Sequence, residues 1–154
     1  MIPFLLLIAF VTAAFSRDIN IDTLAAEAAK QNKHLLVWLH KTDCGYCESM
    51  REFTLEDDTI APVLAKDFIF EHINVNEKDT VTYKSHQSDG KAFAKKVGFS
   101  FYPSSIFMNA KADIVFAAPG YIDEKDFIVM LHFVRSGAYS EMGYDCFRRK
   151  EEKQ

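Results

Sequence analysis

Residues 34–47 run His34-Leu35-Leu36-Val37-Trp38-Leu39-His40-Lys41-Thr42-Asp43-Cys44-Gly45-Tyr46-Cys47, and the order of residue types in this stretch decides the fold. His34 to His40 is a short, nearly continuous apolar run, the pattern of a strand covered on both faces rather than one alternating with solvent. Asp43 to Asp57 then reads as a helix, with Met50, Phe53 and Thr54 along one side. Two cysteines separated by two residues therefore fall where a buried strand hands over to a helix, and a C-x-x-C at that junction of an α/β pattern reads as a redox motif.

On the N-terminal side, Asp22 is placed as the N-cap of a helix over Thr23 to Gln31. On the C-terminal side the helical pattern breaks near Asp57-Asp58 and resumes from Thr59 to Lys66 around Pro62. Phe68 to Val75 is a second strand, and Asn76 to Ser88 a polar connection without regular structure. Asp89 to Val97 forms a short helix ended by Gly98, and Ser104–Met108 with Ile114–Ala117 forms a hairpin. Asp123 to Arg135 carries Phe127, Met130, Leu131 and Val134 on one stripe, with Asp123 as cap and Gly137 as stop. This order predicts an α/β fold with a central mixed β-sheet flanked by helices. Pairing should be parallel where a helix joins strands and antiparallel where a short turn does.

The 154 residues carry 49% hydrophobic and 26% charged side chains with only 6 Gly and 4 Pro, which excludes collagen-like, repetitive and disordered chains. A net charge of -4 gives no basic footprint, so no nucleic-acid partner is expected. Every Lys, Arg, Asp and Glu lies at or after Arg17, and Ile2 to Phe15 is apolar apart from Pro3 and Thr12. The run is too short for a membrane span of about 20 residues but suits a secretory h-region of about 7 to 15. Ala14 and Ser16 stand at the -3 and -1 positions, so residues 1–16 read as a signal peptide, 17–139 as the folded domain and 140–154 as a polar tail.

The helix start favours a sulfur anion, because its first N–H groups lack intrahelical partners and the dipole there is positive. Cys44 is therefore expected to be the nucleophile, and Cys47, one turn on, the resolving thiol. Two other readings of the pair stand beside this one. A permanent stabilising disulfide is possible in geometry, but so small a loop removes little unfolded-chain entropy. A metal site could draw on His40 and Cys146, but the second closely spaced ligand pair of a zinc site is absent, so no metal is assigned.

Leu36 to His40 followed by Cys44-Gly45-Tyr46-Cys47, then Phe99-Ser100-Phe101-Tyr102-Pro103-Ser104, then Pro119-Gly120-Tyr121 before a last helix, resembles the thioredoxin superfamily from about Ile21 to Gly137. Within it the chain is most similar to the bacterial periplasmic SoxW-like thioredoxin-related proteins. The resemblance implies a thioredoxin fold and an enzyme without cofactor. It also implies that Pro103 is the family's cis-proline, facing the C-x-x-C so that the backbone of Tyr102 can pair with an extended substrate. Two departures stand out. Asp43 replaces the tryptophan usual before the first cysteine, and Trp38 takes the place of thioredoxin's buried acidic residue. Proton transfer to Cys47 must then use water or another group, of which Glu48 is a candidate beside its simpler role of complementing the helix dipole.

The implied function is periplasmic thiol–disulfide exchange, reducing disulfides of other envelope proteins, with recharging by a membrane thiol electron donor and a monomeric state. Asp43 and Glu48 place negative charge beside Cys44 and oppose deep pKa depression, which points to a reductase rather than an oxidant. The Gly45-Tyr46 dipeptide resembles that of periplasmic disulfide isomerases, the alternative activity. A redox-inactive or metal-carrying binding module is the alternative from another class. Tyr46 and Phe101 are set apart from the remaining aromatic residues, which read as core. The five histidines lack the spacing of a metal helix, and Cys146 reads as a free thiol.

Overall fold

In the computed structural model, which describes residues 16–153, the run His34–His40 is a strand buried at every position between its ends. In chain order the elements are β1 (Asp18–Asn20), α1 (Ile21–Lys30), β2 (His34–His40) and α2 (Gly45–Met50), which continues into a π-helical turn (Arg51–Leu55). There follow α3 (Ile60–Asp67), β3 (Phe68–Asn74), β4 (Thr80–Tyr83), β5 (His86–Asp89), α4 (Gly90–Lys96), β6 (Ser104–Met108), β7 (Ile114–Pro119), α5 (Glu124–Arg135) and α6 (Tyr144–Glu151). The apolar leader, on which the signal-peptide expectation rests, lies outside the described residues.

The main sheet has the order β3-β2-β6-β7, with β2 parallel to β3 and antiparallel to β6, and β6 antiparallel to β7. It is mixed because a helical crossover joins β2 to β3 while a tight turn joins β6 to β7. The side chains of β2 divide by the strand period of two. Leu36 and Trp38 enter a core with Met50, Ile60, Phe107 and Phe127 on the side of α2, α3 and α5. Leu35, Val37 and Leu39 enter a second core with Ile21, Ala25, Phe93 and Ile106 on the side of α1 and α4. Two layers of helix therefore cover both faces of one strand, which explains why its sequence does not alternate with polar residues.

Three expectations are corrected. The cap of α1 is Asn20, whose side chain accepts the Thr23 N–H at 2.9 Å, because the helix begins at Ile21. Asp22 instead accepts the N–H groups of Lys84 and Ser85 at 2.9 and 2.7 Å. Those two residues form the turn of a hairpin, β4–β5, inside the segment expected to be irregular, and β1 joins this hairpin in parallel to make a second sheet, β1-β4-β5. Beyond residue 139 the chain forms α6, with Tyr144 and Phe147 packed against Phe133 at ring separations of 5.5 and 5.3 Å, and Arg148 paired with Asp126. Just ahead of β1, Arg17 is tied to Asp79 through its backbone N–H at 2.8 Å and its Nε at 3.0 Å, and to Glu71 at 3.1 Å.

Candidate active site at the start of α2

Asp43 turns the chain from β2 into α2 with a left-handed φ of 53°, a conformation that Asp tolerates better than most residues. Cys44 follows as the N-cap of α2. Its Sγ accepts the Cys47 N–H at 3.2 Å and its carbonyl accepts the N–H of Glu48 at 3.0 Å. Cys44 and Cys47 form a disulfide with Cα atoms 5.2 Å apart. The N–H that now faces Cys44 Sγ is the kind of donor that would favour a thiolate there after reduction, a stabilisation that charge-assisted hydrogen bonds make larger than neutral ones. Both cysteines are buried, at 6% and 3% exposure, so access alone hardly separates them; the capping position does.

Tyr102 and Pro103 lie opposite. The Tyr102 carbonyl oxygen is 3.9 Å from Cys44 Sγ, and the Tyr102–Pro103 peptide is cis. Two hydrogen bonds fix this loop: Ser104 Oγ donates to the Phe101 carbonyl at 2.7 Å, and the Gly120 N–H donates to the Pro103 carbonyl, also at 2.7 Å. Gly120 has φ of 91°, which glycine accepts without strain. Thr54, buried in the π-helical turn, donates its hydroxyl to the Ile122 carbonyl at 2.7 Å and so ties the helix after Cys47 to the loop after Gly120. Three segments thus converge on the disulfide. They carry Tyr46 at 72% exposure, Phe101 at 74%, and the exposed rings of Phe53 and Tyr121. The Thr54–Ile122 bond was not legible in the sequence, because it joins positions 68 residues apart.

Behind the disulfide, Trp38 is buried in the same core, and among the described residues its Nε1 has no hydrogen-bond partner. His40 stacks on it with ring centroids 4.6 Å apart and shares a 3.1 Å hydrogen bond with His72. Burial, then His72, Arg17 and Arg51, lowers the His40 pKa to about 4, so the imidazole is neutral at neutral pH. Glu48 is exposed on the first turn of α2, where its charge complements the dipole; among the described residues its side chain makes no hydrogen bond. No group of three or more His, Cys, Asp or Glu among the described residues is arranged to hold a metal. Cys146 is a free cysteine on α6.

A family described as thioredoxin-like domain matches residues 21–135, and the chain belongs to it. Among solved structures it is similar to a thioredoxin from Thermus thermophilus, with TM-score 0.58 and 21% identity over 77% of this chain and 86% of that one. A thioredoxin-fold protein from Helicobacter pylori superposes with TM-score 0.61 and 18% identity over 79% and 81% of the two chains. The oxidised C-terminal domain of DsbD from Neisseria meningitidis does so with TM-score 0.52 and 16% identity over 73% and 87%. At such identities the likeness is one of fold. No curated protein sequence matches the chain. Fold, family and a C-x-x-C disulfide at a helix start together equip the protein for thiol–disulfide exchange.

Proposed function

We propose that the protein is an exported thiol–disulfide oxidoreductase that reduces disulfides of other envelope proteins. The observation that carries this reading is the Cys44 Sγ, bonded to Cys47, capped by the Cys47 N–H and lying 3.9 Å from the Tyr102 carbonyl. In the reduced protein the Cys44 thiolate attacks one sulfur of a substrate disulfide. A mixed disulfide forms and the other substrate sulfur leaves as a thiolate. Cys47, deprotonated, then attacks Cys44 Sγ, releases the second substrate thiolate and closes the Cys44–Cys47 bond; two electrons have passed to the substrate. A dithiol donor at the membrane reverses the cycle on the protein. Tyr102 and Pro103 hold the substrate backbone, and the surface at Gly45 is open, with nothing within 4 Å of the Cβ it lacks apart from its chain neighbours.

The reductase direction is supported by the acidic residues Asp43 and Glu48 on either side of the motif, because negative charge beside the sulfur limits thiolate stabilisation. Lowering a nucleophile's pKa from about 7 to about 3.5 favours the reduced form by nearly 5 kcal/mol, and that is the gain a strong oxidant needs. Export is supported by the apolar leader in the sequence. Cys47→Ser is expected to accumulate mixed disulfides through Cys44 and Cys44→Ser to accumulate none; the reverse pattern exchanges the two roles. Equilibration with glutathione buffers tests direction, and a potential near that of the strong oxidants defeats the reductase reading. Failure to reduce insulin disulfides together with equimolar bound metal favours a binding module instead.

A further inference from the structure

A groove of about 740 Å³ runs between α4 and residues 98–102, and it begins where the candidate active site ends. Its apolar floor is Ala92, Phe99 and Tyr102. Tyr102 is shared between groove and site, for its carbonyl lies 3.9 Å from Cys44 Sγ. Lys91 and Lys95, four residues apart and so on one face of α4, stand exposed at the rim. Among the described residues neither makes an ion pair, while the neighbouring Lys96 lies over the Tyr83 ring at 5.7 Å. The one acidic lining residue, Asp89, is engaged as the cap of α4, accepting the Ala92 N–H at 2.7 Å. Two lysines without an ion-pair partner against one capping carboxylate leave this lining net positive, a local exception in a chain of net charge -4.

We propose that this groove receives the polypeptide segment flanking the substrate's disulfide, and that the segment it fits carries an apolar side chain beside acidic residues. The inference rests on the exchange reading above and names the substrate class for that site. An apolar side chain removes the Phe99–Tyr102 floor from water, and the adjacent carboxylates meet Lys91 and Lys95. Charges at a rim act on encounter rate and salt dependence more than on final affinity. The groove is continuous with Tyr102, so a segment in it lies next to the bond that Cys44 attacks.

The test uses full-chain, pre-reduced protein and two cystine peptides with the same disulfide and the same Phe, one carrying two Glu beside the Phe and the other two Lys. In single turnover the Glu peptide is expected to be opened about fivefold faster at low salt, with the ratio falling toward one at high salt. Lys91→Glu combined with Lys95→Glu should invert the ratio. A ratio near one in the wild type, a preference for the Lys peptide, or a ratio unmoved by the double substitution overturns the proposal. If neither peptide is opened, the exchange reading fails on its own. The groove is then read by titrating the Glu peptide, with its cysteines replaced by serine, against isotope-labelled protein. Shifts of the Phe99 and Tyr102 amides that the double substitution abolishes retain the groove, and their absence overturns it.

Discussion

Thr54 donates its hydroxyl to the carbonyl of Ile122 at 2.7 Å, and both residues are buried, so the helix after Cys47 and the loop after Gly120 are joined by one bond without water. Thr54→Val keeps the shape but strands the Ile122 carbonyl, which costs about 1–3 kcal/mol. A lowered melting temperature with partial recovery in Thr54→Ser is the expected result. Equal stability of Thr54→Val and wild type would show that the carbonyl finds another donor.

Gly90 is packed where α4 meets the end of β3. A Cβ there would fall 2.9 Å from Ile73 Cγ2 and 3.4 Å from Val75 Cα. Ile73 is fully buried and has no room to turn away. Gly90→Ala should therefore destabilise the fold by about 1–3 kcal/mol, despite alanine's better helix propensity. Chemical denaturation measures it, and an unchanged midpoint contradicts the packing.

Asp43 precedes the nucleophile with φ of 53°. A β-branched side chain is strained there by about 1–2 kcal/mol, whereas glycine is not. Asp43→Val should lower stability, and Asp43→Gly should not. Chemical denaturation measures both, and equal stability of Asp43→Val and wild type would show that the turn before Cys44 relaxes freely.

The His40 pKa is lowered to about 4 by burial and by its cationic neighbours. An imidazole in the unfolded chain takes its proton near pH 6.5, so between about 6.5 and 4 the unfolded state binds a proton that the folded state refuses. Folding stability should fall as pH drops through that window and show no further His40 contribution below it. His40→Gln should flatten the slope of stability against pH there. A slope unchanged in the variant would place its origin elsewhere.

The main sheet and the disulfide-bearing turn were legible because each rests on a local signal. The run His34–His40 is too continuously apolar for a one-sided strand, and Cys44-Gly45-Tyr46-Cys47 marks the helix start. Hairpin β4–β5 was not legible. Its turn residues, Lys84 and Ser85, both have positive φ, of 51° and 59°, a geometry usually announced by Asn-Gly or Asp-Gly. What holds them is the carboxylate of Asp22, 62 and 63 residues away in sequence. The same carboxylate was read as a helix cap because composition cannot tell which backbone N–H groups a side chain will reach. Helix α6 was hidden likewise: its polar face reads as a solvated tail, and what fastens it is Tyr144 and Phe147 docked on Phe133 together with the Arg148–Asp126 pair. At the site, Tyr46 and Phe101 could be singled out by position beside the motif and the proline, whereas the Thr54–Ile122 bond joins positions 68 residues apart and has no local signal.

In the π-helical turn Arg51–Leu55 the Glu56 N–H reaches back to the Arg51 carbonyl, five residues earlier, instead of four. Such a turn holds one more residue than the α-helix it interrupts. Alignments of this chain with relatives whose helix is uninterrupted should therefore open a single-residue gap between positions 51 and 55. Deleting one residue here would restore an even α-helical repeat and leave the residues on either side on nearly the same faces, whereas the same deletion in the regular turns of α2 would rotate everything after it by about 100°, a full position of the 3.6-residue cycle. The turn is thus the place in this segment where a change of length is absorbed locally, so that Thr54 can keep facing Ile122.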